Sequence, residues 1–389
     1  MFKVYNTQSD IASSLQNFLL NVDPNIRKTQ LNIIPFISLG MILSESSVAS
    51  DIAKSLKDEF SLVQHDSVIR RIKRLFKNKF FDPYHFYDLV IRYVISNYKP
   101  KHNDRRIHIS FDHMFSHDNY TVFMISMRIG KQGIPLWFRC FNNKYHSEAF
   151  NESLLKEGIS YVSSLFDPSF HLIFLADRWF NSTSLLQHID SLGHIYCIRL
   201  KRNIKVLVYD KKERHKVWKF LNDIIPYKYH STSFHDIILT DYLFKTNIVI
   251  SKSDGVSDPW IIVTNGSTKR AIKDYGYRFG SIESLFKNQK SNGFYIESVI
   301  KADLDYFTSM YTLVCFSTLF LTILGTDYSK NKRCYKNIKI TTHKYFIKNG
   351  TRVKKRVMSL FNTGLTLFHL AFQSSRYIRI PFSFTLYDI

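Results

Sequence analysis

Cysteines and acidic residues are both scarce in this sequence. Its 389 residues include four cysteines, which lie far apart with no Cys-x-x-Cys pair. That spacing excludes a zinc ribbon and a disulfide framework, and it favours a reducing, cytoplasmic setting. The first residues lack the charged region and the small-residue cleavage site of a secretory signal, so we expect no export.

Acidic residues are outnumbered, with 32 Asp and Glu against 54 Lys and Arg, which gives a formal net charge of +22. Binding a polyphosphate backbone requires many cationic side chains, whereas binding a small acidic metabolite requires only a few. Nucleic acid is therefore the leading partner, and a membrane surface is the alternative. At 45% hydrophobic and 22% charged residues, the chain can bury a core in each of two or three domains, which excludes disorder for most of it.

One uncharged stretch, residues 306–326, is long enough to span a bilayer. Its seven Thr and Ser residues suit lipid poorly. We therefore interpret it as the buried core helix of a large domain and expect no membrane association.

Residues 1–103 are predicted to form a helical DNA-binding domain, because their apolar residues recur at helical spacing. Two short helices in 46–79 suggest a helix-turn-helix. The second carries Arg70, Arg71 and Arg74 opposite an apolar face, as a groove-reading helix does. A solvated basic helix is the alternative.

From residue 104 the pattern changes to strands. Three strands, a helix, a strand, a second helix and a fifth strand follow in order, which is the ribonuclease-H-like layout of the α/β class. The first strand contains Asp112 and the fourth ends at Asp177. In this layout these two strands are neighbours, so the two carboxylates are expected to be adjacent. Mg²⁺ prefers such oxygen ligands, and phosphoryl transfer uses two ions; a third carboxylate is then needed on a later helix.

Glu283 supplies that carboxylate, on a predicted amphipathic helix. Around it stand Tyr275, Arg278 and Lys290, and here the chain resembles the bacterial DDE insertion-sequence transposases of the cut-and-paste group. That group is marked by Tyr, two residues, Arg, three residues, Glu, six residues, Lys. Four residues instead of three separate Arg278 from Glu283. Because Gly is poor inside a helix, Gly280 favours placing the extra residue before the helix begins.

The resemblance covers about residues 104–326 and includes the segments around both aspartates, with Trp179 in place of the family's usual Gly. It implies a ribonuclease-H-like catalytic core at 104–202 and 266–326. The interval between Asp177 and Glu283 is too long for one helix and one strand. Residues 203–265 are therefore expected to form a β-rich insertion. Trp260 would stack there on a flipped base, with a core tryptophan as the equal alternative.

The activity that the resemblance implies is DNA transposition. Asp112, Asp177 and Glu283 would hold two Mg²⁺ ions, with Mn²⁺ as a substitute, for hydrolysis at the transposon ends, hairpin formation and strand transfer to target DNA. Arg278 and Lys290 would bind phosphates, with Tyr275 positioning the 5′ side. Arg178 would touch DNA or brace Asp177. The partners implied are double-stranded DNA, at the transposon ends and the target, and a second copy of the chain in the DNA complex. The setting implied is the bacterial cytoplasm, on the nucleoid.

The last region, 327–389, contains no acid from Tyr328 to Tyr387 and has clustered cations, which predicts DNA contact or a dimer interface beside one apolar helix. Two rival functions remain. One is a catalytically degraded transposase relative that acts only by binding DNA, and the other is a membrane protein anchored by 306–326.

Overall fold

The computed structural model describes most of the chain: residues 3–5, 8–56, 64–101, 105–116, 120–142, 148–210, 212–225, 231–239, 243–252, 258–299, 302–335, 338–348, 351–373, 378–380 and 384–388. Within these ranges the protein is of mixed α/β class, with helices packed on both faces of a large mixed sheet.

The N-terminal part is helical, as its apolar spacing predicts. It contains strand β1 (Lys3–Tyr5) and helices α1 (Gln8–Val22), α2 (Lys28–Ser44), α3 (Ala49–Ser55), α4 (His65–Phe76) and α5 (Pro83–Ser96). Asp82 caps α5, since its side chain accepts hydrogen bonds from the first backbone N–H groups and Pro83 occupies the first turn. Helices α3 and α4 are the pair predicted as a helix-turn-helix, and residues 57–63 of their connection lie outside the described residues.

Ten strands of the described chain form one sheet. They are β2 (Arg106–Ser116), β3 (Tyr120–Ile129), β4 (Gln132–Asn142), β5 (His171–Ala176), β6 (Ile195–Arg199), β7 (Lys205–Asp210), β8 (His215–Phe220), β9 (Ser231–Leu239), β10 (Lys245–Ser251) and β11 (Trp260–Thr264). Their order is β4-β3-β2-β5-β6-β11-β10-β9-β7-β8. Strand β2 lies between β3 and β5, as the sequence predicts, and pairs with β5 in parallel. The strands of the predicted insertion extend the same sheet beyond β6.

Helices cover this sheet on two faces: α6 (Glu148–Ser164), α7 (Thr183–Ser191), α8 (Thr268–Gly276), α9 (Ile282–Lys290) and α10 (Leu304–Lys330). Ile125 and Ser126 point to opposite faces because they are consecutive in β3. Gly158 of α6 lies against Ile125, whereas Ser126 lies 3.4 Å from Ser281, just before α9. Helices α6 and α9 therefore pack on opposite faces.

Helix α10 contains residues 306–326, the stretch whose length would allow it to span a membrane. It is long and apolar enough to cross a bilayer, and its most apolar window is fully buried inside the structure; the bent pair α2 and α3 passes the same length test. Several of its hydroxyls are satisfied within the helix, since Thr312, Thr318 and Thr322 each donate to the carbonyl one turn earlier, although the buried Ser317 hydroxyl has no partner among the described residues. A helix that is apolar all round and covered on all sides is typical of a protein core.

The C-terminal part adds a hairpin, β12 (His343–Lys348) with β13 (Thr351–Arg356), then helix α11 (Leu360–Gln373) and strand β14 (Ile378–Ile380). The apolar helix α11 packs against α10, and β14 pairs with β1, so the two ends of the described chain meet. Two glycines allow the helix contact. A Cβ at Gly325 would lie 2.0 Å from the carbonyl oxygen of Leu360, and one at Gly364 would lie 2.0 Å from that of Leu321.

We expect Gly325→Ala and Gly364→Ala each to lower the free energy of unfolding by about 2 kcal/mol, because the helix backbones would have to separate. Gly276→Ala is the matched control, since a Cβ there would meet only ordinary contacts at 3.8 Å. Urea denaturation monitored by circular dichroism measures all three variants. Equal stabilities of the three variants would contradict the close approach of α10 and α11.

Candidate active site

Asp112 and Asp177 lie on two neighbouring parallel strands, just beyond the last residues that β2 and β5 pair. The offset between paired residues of β2 and β5, as in Ser110 and Leu175, is the same as that between Asp112 and Asp177. Asp177 follows the end of β5, whereas Asp112 lies within β2, which continues beside β3 to Ser116. One oxygen of each side chain accepts a hydrogen bond from the next backbone N–H, at 2.8 Å for Asp112 and 2.7 Å for Asp177. These bonds help to orient both carboxylates where β2 and β5 part.

Glu283 lies in the first turn of α9, which packs on the β2, β3 and β4 side of the sheet. A short 3₁₀ helix, Tyr277–Gly280, precedes α9. Gly280 thus stands before α9, the position that the sequence favoured for the extra residue. With this 3₁₀ turn between them, the side chains of Arg278 and Glu283 face each other.

Arg278 lies between the carboxylates. Its guanidinium donates to Asp112 Oδ2 at 2.6 Å and to Glu283 Oε1 at 3.1 Å, and its side chain is only 6% exposed. The planar fork of an arginine suits two acceptors at once. This buried cation joins the end of β2 to the start of α9.

The electrostatics show that the three carboxylates act on one another. Burial raises the pKa of Asp112, Arg278 opposes the rise, and Asp177 adds to it. Burial also raises the pKa of Glu283, again opposed by Arg278 and increased by Asp112 and Asp177. Three negative charges at one site repel, and positive charge there lowers the cost of ionising them.

The donor set has the chemistry of a magnesium site, since all three side chains offer hard carboxylate oxygens. Their arrangement differs from a metal-holding one: among the described residues, no three Asp, Glu, His or Cys side chains converge on a common metal position. The physical reason is Arg278, which occupies the space between Asp112 and Glu283. Metal binding by the three carboxylates therefore requires the guanidinium to move.

Lys290 and Arg178 lie near the candidate carboxylates, at the ends of their elements. Lys290, the last residue of α9, donates to the Phe115 carbonyl at 2.7 Å and pairs with Glu297 at 2.7 Å. Phe115 belongs to β2, three residues beyond Asp112, so this ammonium lies at the rim of the site. The Nε of Arg178 is 4.0 Å from Asp177 Oδ1.

Tyr275 and Trp260 occupy positions that differ from those expected of DNA contacts. Tyr275 is fully buried, edge-to-face against Trp260, and burial raises its pKa to about 12. Trp260 is half-buried, and one face of its ring stacks on Phe279 at 5.4 Å. Packing between α8 and β11 buries Tyr275 fully and leaves Trp260 partly exposed. The arginines of α4 are exposed: Arg70, Arg71 and Arg74.

The structure also assembles residues that the sequence did not single out. Asp258, just before β11, contacts three guanidiniums, those of Arg178, Arg199 and Arg202, at 2.5 to 2.8 Å. Trp179, beside Arg178, is 78% exposed. The sequence could have indicated Trp179, because the family that the chain resembles usually has a glycine at this position. It could not have indicated the contacts of Asp258, because the three arginines lie on other strands and loops.

No protein-family profile and no curated protein matches the sequence. The structure is similar to a solved one described as the cryo-EM structure of the piggyBac transposase synaptic complex with hairpin DNA, at 11% sequence identity and a TM-score of 0.41. The match covers 94% of this chain and 78% of that one. What this chain does must therefore be inferred from its own residues.

The Arg278 bridge makes a testable prediction about stability. We expect Arg278→Gln to destabilise the fold by about 2 kcal/mol, because it leaves the partly buried Asp112 carboxylate without its cation. Adding Asp112→Asn should recover about 1–2 kcal/mol, since the uncompensated charge is then removed. Exposed Arg70→Gln on α4 is the matched control and should change stability by less than about 0.5 kcal/mol. Additive losses for the Arg278 and Asp112 changes in urea denaturation would show that the bridge is not coupled.

Proposed function

We propose that this chain is a DNA transposase of the DDE type. It would bind the terminal inverted repeats of an insertion sequence, then excise and integrate it by Mg²⁺-dependent phosphodiester hydrolysis and strand transfer. The observation that carries the proposal is the equivalent placement of Asp112 and Asp177 on neighbouring strands, with Glu283 of α9 joined to Asp112 through Arg278, in a chain of net charge +22. Burial raises the pKa of both Asp112 and Glu283, so holding them ionised is costly, and a divalent cation would offset that cost.

Asp112, Asp177 and Glu283 are the residues that would hold the metal. When bound, it supplies Lewis-acid stabilisation to the phosphoryl group and lowers the pKa of an attacking water. The ribonuclease-H-like assignment of the core is supported by the order of β2 to β6, in which β2 lies beside β5.

The cations around these carboxylates have a separate task. Arg278 already binds anionic oxygens of Asp112 and Glu283, and a guanidinium fork binds phosphate oxygens as well, so it can exchange one for the other when DNA enters. Lys290 at the rim is placed to do the same. Both residues would position the strand in line, which contributes more to phosphoryl transfer than a covalent nucleophile does.

The finer assignment follows the spacing of Tyr275 with Arg278 and of Glu283 with Lys290. On this basis the chain belongs to the cut-and-paste insertion-sequence group and cuts through a hairpin intermediate. It acts as a homodimer on the two transposon ends, in the bacterial cytoplasm on the nucleoid. Tyr275 would reach DNA in this scheme only if the packing that buries it opens, whereas Trp260 is already partly exposed.

A second candidate is a relative that binds DNA without cutting it. The observation that favours it is Arg278, which holds Asp112 and Glu283 as an internal counter-ion, together with the lack of a converged metal-ligand group among the described residues. The two candidates differ in whether divalent metal enables the protein to cut the DNA that it binds.

Cleavage of end-labelled DNA carrying the element's own flanking repeats distinguishes them. With Mg²⁺ or Mn²⁺, the wild type should cut. Asp177→Ala and Glu283→Ala should lose at least about a hundredfold in rate, because the metal's contribution is worth several kcal/mol. Binding in gel-shift assays should persist in both variants. Asp223→Ala, at an exposed site in the insertion, is the control and should cut normally. Wild-type binding without any cleavage would establish the second candidate instead.

The tail hairpin of β12 and β13 is the best candidate for a further DNA contact. Nearly all its described side chains are exposed, and Lys344 stands directly opposite Lys355 in the register. Like charges in a cross-strand pair destabilise a hairpin, and an isolated two-stranded ribbon is marginal in water. A polyanionic partner removes this penalty, and a two-stranded ribbon fits the major groove.

We expect Lys354→Gln with Lys355→Gln to weaken duplex-DNA binding and to flatten its salt dependence by about 0.9 in the log–log slope for each phosphate that the variant no longer neutralises. The matched control is Lys212→Gln with Lys216→Gln, two exposed lysines at the hairpin of β7 and β8. Fluorescence anisotropy over a salt series measures both. An unchanged slope combined with weaker self-association in sedimentation would assign the hairpin to a dimer interface.

A further inference from the structure

A large aromatic ring is displayed beside the catalytic carboxylates. Trp179 lies in a single 3₁₀ turn, Arg178–Phe180, that follows Asp177 at the end of β5. Phe180 anchors the turn, since it is 6% exposed and packs edge-to-face on Phe111. Trp179 points the other way and is 78% exposed. An indole this exposed is unusual, because burying it would gain hydrophobic free energy.

A cluster of arginines lies next to this ring. Asp258 contacts Arg178, Arg199 and Arg202, so one carboxylate faces three guanidiniums and the cluster keeps a net positive charge. Partial burial alone would raise the pKa of Asp258, but these arginines lower it below its usual value. Lys201 adds a cation 5.4 Å from the Trp179 ring. Asp258 therefore organises the guanidiniums without neutralising them.

The two features together have the chemistry of a nucleotide site. Aromatic rings stack on any base, because every base has a π face, and guanidiniums bind phosphate oxygens. A base inside a duplex has its faces covered by its neighbours, so an exposed indole can stack only on an unpaired base. An acidic protein partner would explain the cations, yet it would leave the exposed indole without a role.

Resting on the proposed transposase function, we propose that Trp179 and the arginine cluster bind an unpaired nucleotide of the DNA strand beside the scissile phosphate. Trp179 stacks on the base, and Arg178 and Arg202 hold the flanking phosphates. Arg178 links this site to the catalytic one through its Nε, 4.0 Å from Asp177 Oδ1. Trp260 is less suited to this task because Phe279 already covers one of its faces.

The test is binding of a fluorescein-labelled oligothymidylate and of a duplex to the full-length chain in EDTA, where no cleavage can occur. Trp179→Ala should weaken binding of the single strand by about tenfold, the usual size of one base stack, and should change duplex binding by less than about twofold. Trp179→Phe should retain most of the affinity. Trp218→Ala is the matched control, an exposed tryptophan in β8 at the far edge of the sheet, and should behave as wild type.

The arginine part of the site has its own readout. Arg202→Gln should reduce the salt slope of single-strand binding by about 0.7, the value for one phosphate contact. The site is refuted if Trp179→Ala binds the single strand as wild type does, or loses single-strand and duplex binding equally. An acidic protein ligand would give that first result. Because the assay contains no metal, failure of Mg²⁺-dependent cleavage would refute the transposase proposal without affecting this measurement.

Discussion

The arrangement of the candidate site depends on one ion-pair bridge, from Asp112 through the buried Arg278 to Glu283. The guanidinium ties the central strand β2 to the start of α9, two elements that the sheet and its covering helices bring together from distant parts of the chain. Without a cation at this point, three carboxylates would repel one another in a partly buried place. If the carboxylates hold metal as we propose, the same bridge would have to rearrange when the ion binds. Stability of the metal-free protein and metal binding would then be opposed at Arg278.

The cationic surplus is distributed around this bridge in distinct groups. The arginines of α4 and the lysines of the tail hairpin are exposed and suit the backbone of a duplex. The arginines around Asp258 are held in place by a shared carboxylate next to an exposed tryptophan. Preorganised guanidiniums lose less entropy on binding than flexible lysines do, so this group suits a defined phosphate position.

Much of the fold could be predicted, because the spacing of apolar residues along the sequence indicates helices and strands. The alternation in β2 and the helical spacing in α9 and α11 identified those elements, and the order of elements placed β2 beside β5. The character of α10 was ambiguous, since a core helix and a membrane span share the same composition. Only its neighbours, α2, α4, α5 and α11 among them, show where the helix is buried. Of the site, the two aspartates came from the order of strands, Glu283 from its predicted helix and Arg278 from the family resemblance, and their roles remain predictions.

The sequence by itself determined the excess of cations, the α/β order of elements and the identity of the candidate carboxylates, because each of these is a property of local pattern or composition. Only the tertiary structure shows which residues are in contact. Tyr275 is buried, Trp260 is half-buried and Trp179 is exposed. Asp258 contacts three arginines from other segments. The physical reason is that burial and ion pairing depend on the register of the sheet and on contacts between loops at its edge. Those contacts join residues far apart in the chain, so local sequence patterns do not indicate them.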